Sequence, residues 1–216
     1  MMAAAVVPTL GASAQTARIF LGVSLSFLKS IKADSRYKEG MTVRHVSHEI
    51  VKPDTLSAVC TYCSLFQGQC DSGGRLYVAP ASHFISYARH YPYDVLLDVF
   101  EHQHPTGYGW IDLFIEPQHG NDHKTVEMWQ TFFRDPIIHI GKVTLVIFPW
   151  NKPVVVERSW CLWEIFSAIQ GGGGVDFQIC LPNSERMKLK EGIQESFQSI
   201  MDALMQIKAE DAMKGQ

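Results

Sequence analysis

From residue 83 onwards, short apolar runs alternate with segments of helical periodicity, and few folds satisfy that alternation. His83-Phe84-Ile85-Ser86-Tyr87 follows Pro80 and reads as a first strand. Residues 93–102 then set Val95, Leu96, Val99 and Phe100 on one helical face, and Gly107 and Gly109 punctuate. Residues 110–115 read as a second strand and residues 116–124 as a polar loop. Val126, Trp129 and Phe133 align on a helix that Pro136 is expected to end or kink. Residues 143–148 form a third strand, apolar almost throughout, which implies burial on both faces as in a parallel sheet. Ser159 reads as the N-cap of a helix carrying Leu162, Ile165, Phe166 and Ile169, closed by the glycines at 171–174. Residues 177–181 form a fourth strand stopped by Pro182. Leu189, Ile193, Phe197, Ile200, Leu204 and Ile207 then mark a long amphipathic helix. The pattern predicts an α/β chain, a flavodoxin-like doubly wound parallel sheet of four to five strands with helices on both faces. In such sheets ligands bind beyond the carboxyl ends of the strands, here the loops after Tyr87, Ile115 and Phe148.

The chain divides into an N-terminal extension (1–40), a leader segment packed on the domain (41–82), the α/β domain (83–208) and a C-terminal tail (209–216). The extension is expected to carry one helix over residues 16–32. Its first acidic residue is Asp34, so an organellar transit peptide is an alternative to a cytoplasmic chain with a tail. The leader is read as irregular around the turn Asp71-Ser72-Gly73-Gly74. With 46% hydrophobic and 19% charged residues the chain can pack a core and is not disordered. A formal net charge of −3 without a Lys/Arg stripe points away from nucleic acid and anionic membrane surfaces. No apolar stretch reaches the roughly 20 residues of a bilayer span. Five cysteines, an odd number, fit free thiols in a reducing compartment.

The sharpest local signal is Ser159-Trp160-Cys161-Leu162-Trp163-Glu164, opening a helix shortly after a buried strand. It resembles the Ser-x-Trp-Cys-x-x-Glu pattern of TIR domains, the plant-type ones above all, in a shortened form with Arg158 and Ser159 before the Trp. Phe84-Ile85-Ser86-Tyr87 is similar to the box that opens those domains, and Trp110-Ile111-Asp112 fits a divergent TIR-like group with a Trp-Cys-Leu-Trp-Glu helix. The resemblance covers residues 83–182. It departs from the family in lacking a visible fifth strand, in its 116–124 loop, and in a lengthened segment before the motif, residues 151–158.

The resemblance implies an NAD glycohydrolase in which Glu164 is the catalytic carboxylate and NAD is the substrate, with no further cofactor. Nicotinamide and ADP-ribose, or a cyclic ADP-ribose, are the implied products. It also implies self-association into an oligomer and a place in signalling. The chemistry is compatible with so small a site. The pyridinium leaves as a neutral base, so no general acid is required, and one carboxylate can stabilise an oxocarbenium-like ribose. A Glu in the first turn of a helix is also favoured in its ionised form by the helix dipole. The plain alternative is that Glu164 caps the helix and pairs with Arg158 or another cation.

Other residues are candidates for substrate binding. Ser86 and Arg89 could meet pyrophosphate or ribose, or line a solvated loop. Asp112 could hold ribose or cap a neighbouring backbone. Tyr87, Trp110 and Trp150 could stack on nicotinamide or adenine, or belong to the core. Ser159, Trp160 and Cys161 are read as structural residues of the motif. No metal site is expected: Cys60-x-x-Cys63 with Cys70 lacks a second pair, and His102, His104, His119 and His123 fit no ligand template. The glycines at 171–174 follow a helix, where phosphate loops do not occur, and no Gly-x-Ser-x-Gly elbow is present. Two other classes share the fold: a non-catalytic interaction module, and a sensor that binds NAD or ADP-ribose without cleaving it.

Overall fold

A computed structural model describes residues 20–120, 123–170 and 174–195, together with 197, 199 and 201. It is α/β, with one six-stranded, mostly parallel sheet and helices on both faces. The strands are β1 (Leu21–Ser24), β2 (Val78–Pro80), β3 (His83–Ser86), β4 (Tyr108–Trp110), β5 (Lys142–Val146) and β6 (Asp176–Cys180), in the order β2-β1-β4-β3-β5-β6. The parallel part, β4-β3-β5-β6, has the strand order of flavodoxin-like sheets. β1 pairs antiparallel with both β2 and β4.

The helices are α1 (Leu25–Lys32), α2 (Val43–Val46), α3 (Lys52–Thr55), α4 (Tyr93–Gln103), α5 (Asp112–Ile115), α6 (Val126–Ile140), α7 (Ser159–Gln170) and α8 (Asn183–Glu195). Strand side chains alternate between the two faces. Phe84 and Val143 pack with Phe133 and Ile137 of α6 and Ala168 of α7. Ile85 belongs to the other core with Leu96 and Phe100 of α4 and Phe27 and Leu28 of α1. β5 is buried at four of its five positions, as its unbroken apolar run requires.

Several expectations are corrected. The reading of residues 1–40 as an extension does not hold for its described part, because β1 lies between two strands of the sheet. Ser24 divides the apolar run: its Oγ accepts from Phe27 N–H at 3.2 Å and caps α1, so a strand and a helix stand where one helix over 16–32 was expected. Residues 16–19 of that helix lie outside the described residues. The leader is not irregular throughout, for α2, a π-helical turn (Ser47–Val51) and α3 run on without a break, and β2 extends the sheet. The sheet thus has six strands rather than four to five.

The second strand is shorter and earlier than expected. β4 covers Tyr108–Trp110, and residues 112–115 turn into α5, where Ile111 O accepts from Phe114 and Ile115 N–H. A four-residue apolar run satisfies either state by periodicity, and here burial of Leu113 and Phe114 beside α1 decides for the turn. α6 runs through Pro136 to a left-handed Gly141 cap at φ 69°. Packing of that helix against α7 and the sheet outweighs the one backbone hydrogen bond the proline forfeits. α7 begins at Ser159, β6 lies where the fourth strand was expected, and α8 follows it. The 171–173 glycines and residues 202–216, which include the expected tail, lie outside the described residues.

Candidate active site

A cleft of about 320 Å³ opens beyond the carboxyl ends of β3 and β4, at the end of the sheet where parallel α/β sheets bind ligands. The loop after β3 contributes Tyr87 and Arg89, and α5 with its following loop contributes Asp112, Glu116 and Gln118. Residues 158–164 contribute Arg158, Trp160, Cys161 and Glu164, and α6 closes the wall with Trp129 and Phe133.

Glu164 stands in the second turn of α7, not the first, and is 7% exposed. Ser86 Oγ, at the tip of β3, donates to its Oε2 at 2.5 Å. Burial pushes the Glu164 carboxyl up to about 8; the Ser86 hydrogen bond and the charges of Arg158 and Arg89 offset only part of that, and Asp112 adds to it. The expectation that the helix dipole keeps this group ionised is therefore corrected. Desolvation favours the neutral form of this carboxyl, and Glu164 stands beyond the first turn, where the helix dipole acts. The plain alternative, an ion pair with Arg158, is absent among the described residues.

Asp112 is held by several partners, the Leu113 backbone N–H among them. Its Oδ1 accepts from the Tyr87 hydroxyl, and its Oδ2 accepts from Arg89 Nη2 at 2.6 Å and Nε at 3.2 Å. Burial pushes the Asp112 carboxyl up, but the Arg89 charge and these hydrogen bonds outweigh it and hold the group below its ordinary range. Arg89 also donates from Nη1 to Gln118 Oε1 at 3.2 Å, so three of its nitrogens are committed within the protein. Sequence reasoning placed both residues at the site, and the structure brings them together in the cleft wall as an ion pair.

A third carboxyl sits in the wall. Glu116 is 2% exposed and meets Lys124 Nζ at 2.6 Å, yet burial still pushes it up to about 7. Lys124 itself lies over the Trp129 ring, 4.3 Å from its centroid.

The aromatic candidates separate. Tyr87 lines the cleft. Trp110 touches it, but its ring is stacked on Phe84 at 4.7 Å and only 1% exposed, so its face belongs to the core. Trp150 is not at the site. Its backbone N–H donates to the buried Glu185 of α8 at 2.8 Å, and its ring packs over Gly192. The half-buried Trp129 and Trp160 are the rings that face the cleft. Cys161 is structural, its buried thiol donating to Tyr87 O at 3.5 Å.

Sequence reasoning missed Glu116, Gln118 and Trp129 and saw Arg158 only as a partner for Glu164. Trp129 read as one of several core positions on a helical face, and Glu116 as part of a solvated loop. Nothing local marked either one.

No family model, no curated protein and no solved structure matches this chain. The likeness to TIR domains rests on the sequence boxes at residues 84–87, 110–112 and 159–164. Among the described residues, no group of three or more His, Cys, Asp or Glu side chains converges on a common centre, and no helix is long and apolar enough to cross a membrane.

Proposed function

We propose that the cleft hydrolyses the bond between a pyridinium base and ribose, with NAD as the substrate. The observation that carries this reading is the carboxyl of Glu164, held by Ser86 beyond the strand tips in a cleft with aromatic walls. The base leaves with the bonding electron pair as neutral nicotinamide. Water attacks the ribosyl carbon and releases its proton, and the Glu164 carboxylate stabilises the positive charge between those events. The substrate's own positive charge favours ionisation of the carboxyl beside it, which counters the effect of burial. Self-association belongs to the same proposal, and the exposed Phe166 and Ile169 of α7 and Ile179 of β6 supply apolar surface for it.

Nicotinamide release from NAD by the purified chain, at high protein concentration, tests the reading. Glu164→Gln is expected to lower the rate by about 10²–10³-fold. The rate of the wild type is expected to rise with pH through about 8, as the carboxyl ionises. Absence of release by the concentrated wild type sinks the hydrolase. A second reading has one observation in its favour, the burial of Glu164, which favours its neutral form: a neutral carboxyl would donate a hydrogen bond to a ribose hydroxyl and stabilise no cation. NAD binding without turnover is the outcome that would select this sensor.

A further inference from the structure

Arg158 is an unpaired charge in a cleft whose other cations are paired. Arg89 is forked on Asp112 and Lys124 is held by Glu116, whereas Arg158 forms no ion pair among the described residues. Its Nη1 meets His90 Nδ1 at 3.3 Å, and its side chain is half-buried in the cleft wall. Arg44, exposed at the start of α2, stands beside them. Its backbone N–H donates to Arg89 O at 2.8 Å, and its charge and that of Arg158 both bear on His90. Arg158 thus lines the cleft beside His90, with the charge of Arg44 close to that pair.

Building on the ribosyl-hydrolase reading, we infer that this lip of the cleft holds the 5′-phosphate of the ribosyl ligand, so that the smallest complete ligand is a base–ribose 5′-phosphate and not the free riboside. The guanidinium fork matches phosphate oxygens, and a half-buried cation lacking a carboxylate is stabilised by an anionic ligand. Arg158 immediately precedes α7 and Glu164 stands in its second turn, so one short segment brings the cation and the carboxyl to the same cleft. At about 320 Å³ the cleft is at the small end of ligand sites.

Titration of the Glu164→Gln chain, in which turnover is suppressed, with nicotinamide mononucleotide, nicotinamide riboside and NAD tests the lip. The mononucleotide is expected to bind tighter than the riboside by about tenfold or more, with NAD close to the mononucleotide. Added salt shrinks the gap. Adding Arg158→Ala closes it, Arg158→Lys restores part of it, and Arg44→Ala, at an exposed position, narrows it. Equal affinity for riboside and mononucleotide, an unchanged gap in Arg158→Ala, or no binding of any of the three overturns the inference. The two proposals fail separately. Nicotinamide release from the riboside as readily as from NAD removes the phosphate lip and keeps the hydrolase. Phosphate-dependent binding without release by the wild type keeps the lip and removes the hydrolase.

Discussion

At the scale of the residue, the chemistry of this protein turns on how a carboxyl is solvated. Glu164, Glu116 and Asp112 share one cleft, yet two are pushed up and one is held down. The difference lies in partners. Asp112 has a guanidinium fork and a phenol, Glu116 has one ammonium, and Glu164 has one hydroxyl. A carboxyl with a raised folded value binds more protons when folded than unfolded, so its burial costs stability as pH rises. For Glu164 that window runs from about 4.5 to about 8. Glu164→Gln is therefore expected to gain stability over the wild type across that window, by up to about 1.4 kcal/mol per pH unit, and to match it below the window. Paired denaturant titrations at pH 5 and pH 8 check this; a constant difference between the two chains at both pH values would show that the carboxyl is not buried in solution.

At the scale of the element, close approach sets the geometry of the site. β4 lies against α4 only because Gly109 has no side chain: a Cβ there would come 2.2 Å from Phe100 Cζ. Phe100 is fully buried and has no free volume to retreat into. Gly109→Ala is expected to cost about 1–3 kcal/mol or more from overpacking, and Phe100→Leu in the same chain to recover part of it. A double-mutant cycle by thermal unfolding measures the recovery, and additive losses would mean the two residues do not press on each other. β4 also decides where α5 begins, and hence where Asp112 meets Tyr87 and Arg89. The periodicity of residues 110–115 allowed strand or helix alike, because a run of that length satisfies both. The hydrogen bonds of Ile111 O and the burial of Phe114 resolve it, and both depend on neighbours remote in sequence.

At the scale of the whole molecule, the first described segment is part of the sheet. Val23, Phe27, Leu28 and Ile31 are essentially fully buried. Their burial is worth roughly 6–12 kcal/mol in transfer terms, as much as the net stability of an ordinary domain. Removal of residues 1–32 is accordingly expected to abolish cooperative unfolding, as read by near-ultraviolet circular dichroism and a thermal melt. A truncated chain that melts sharply near the wild-type temperature would contradict the place given to β1. The N-terminal segment looked dispensable because β1 is only four residues long and is continuous with α1. A strand that short has no period to read; its partners, β2 and β4, lie more than 50 residues away in the chain.

Local order along the chain was enough to determine three of the four parallel strands, β3, β5 and β6, the helices between and after them, and the position of the Ser159–Glu164 box, because burial on two faces and helical spacing leave their mark on consecutive residues. Tertiary structure alone decided that β1 and β2 complete the sheet, that Trp129 and Glu116 line the cleft while Trp150 does not, and that Arg89 is committed where Arg158 is not. Those outcomes depend on hydrogen bonds and desolvation between residues far apart in sequence, and such energies come into being only when the chain has closed on itself.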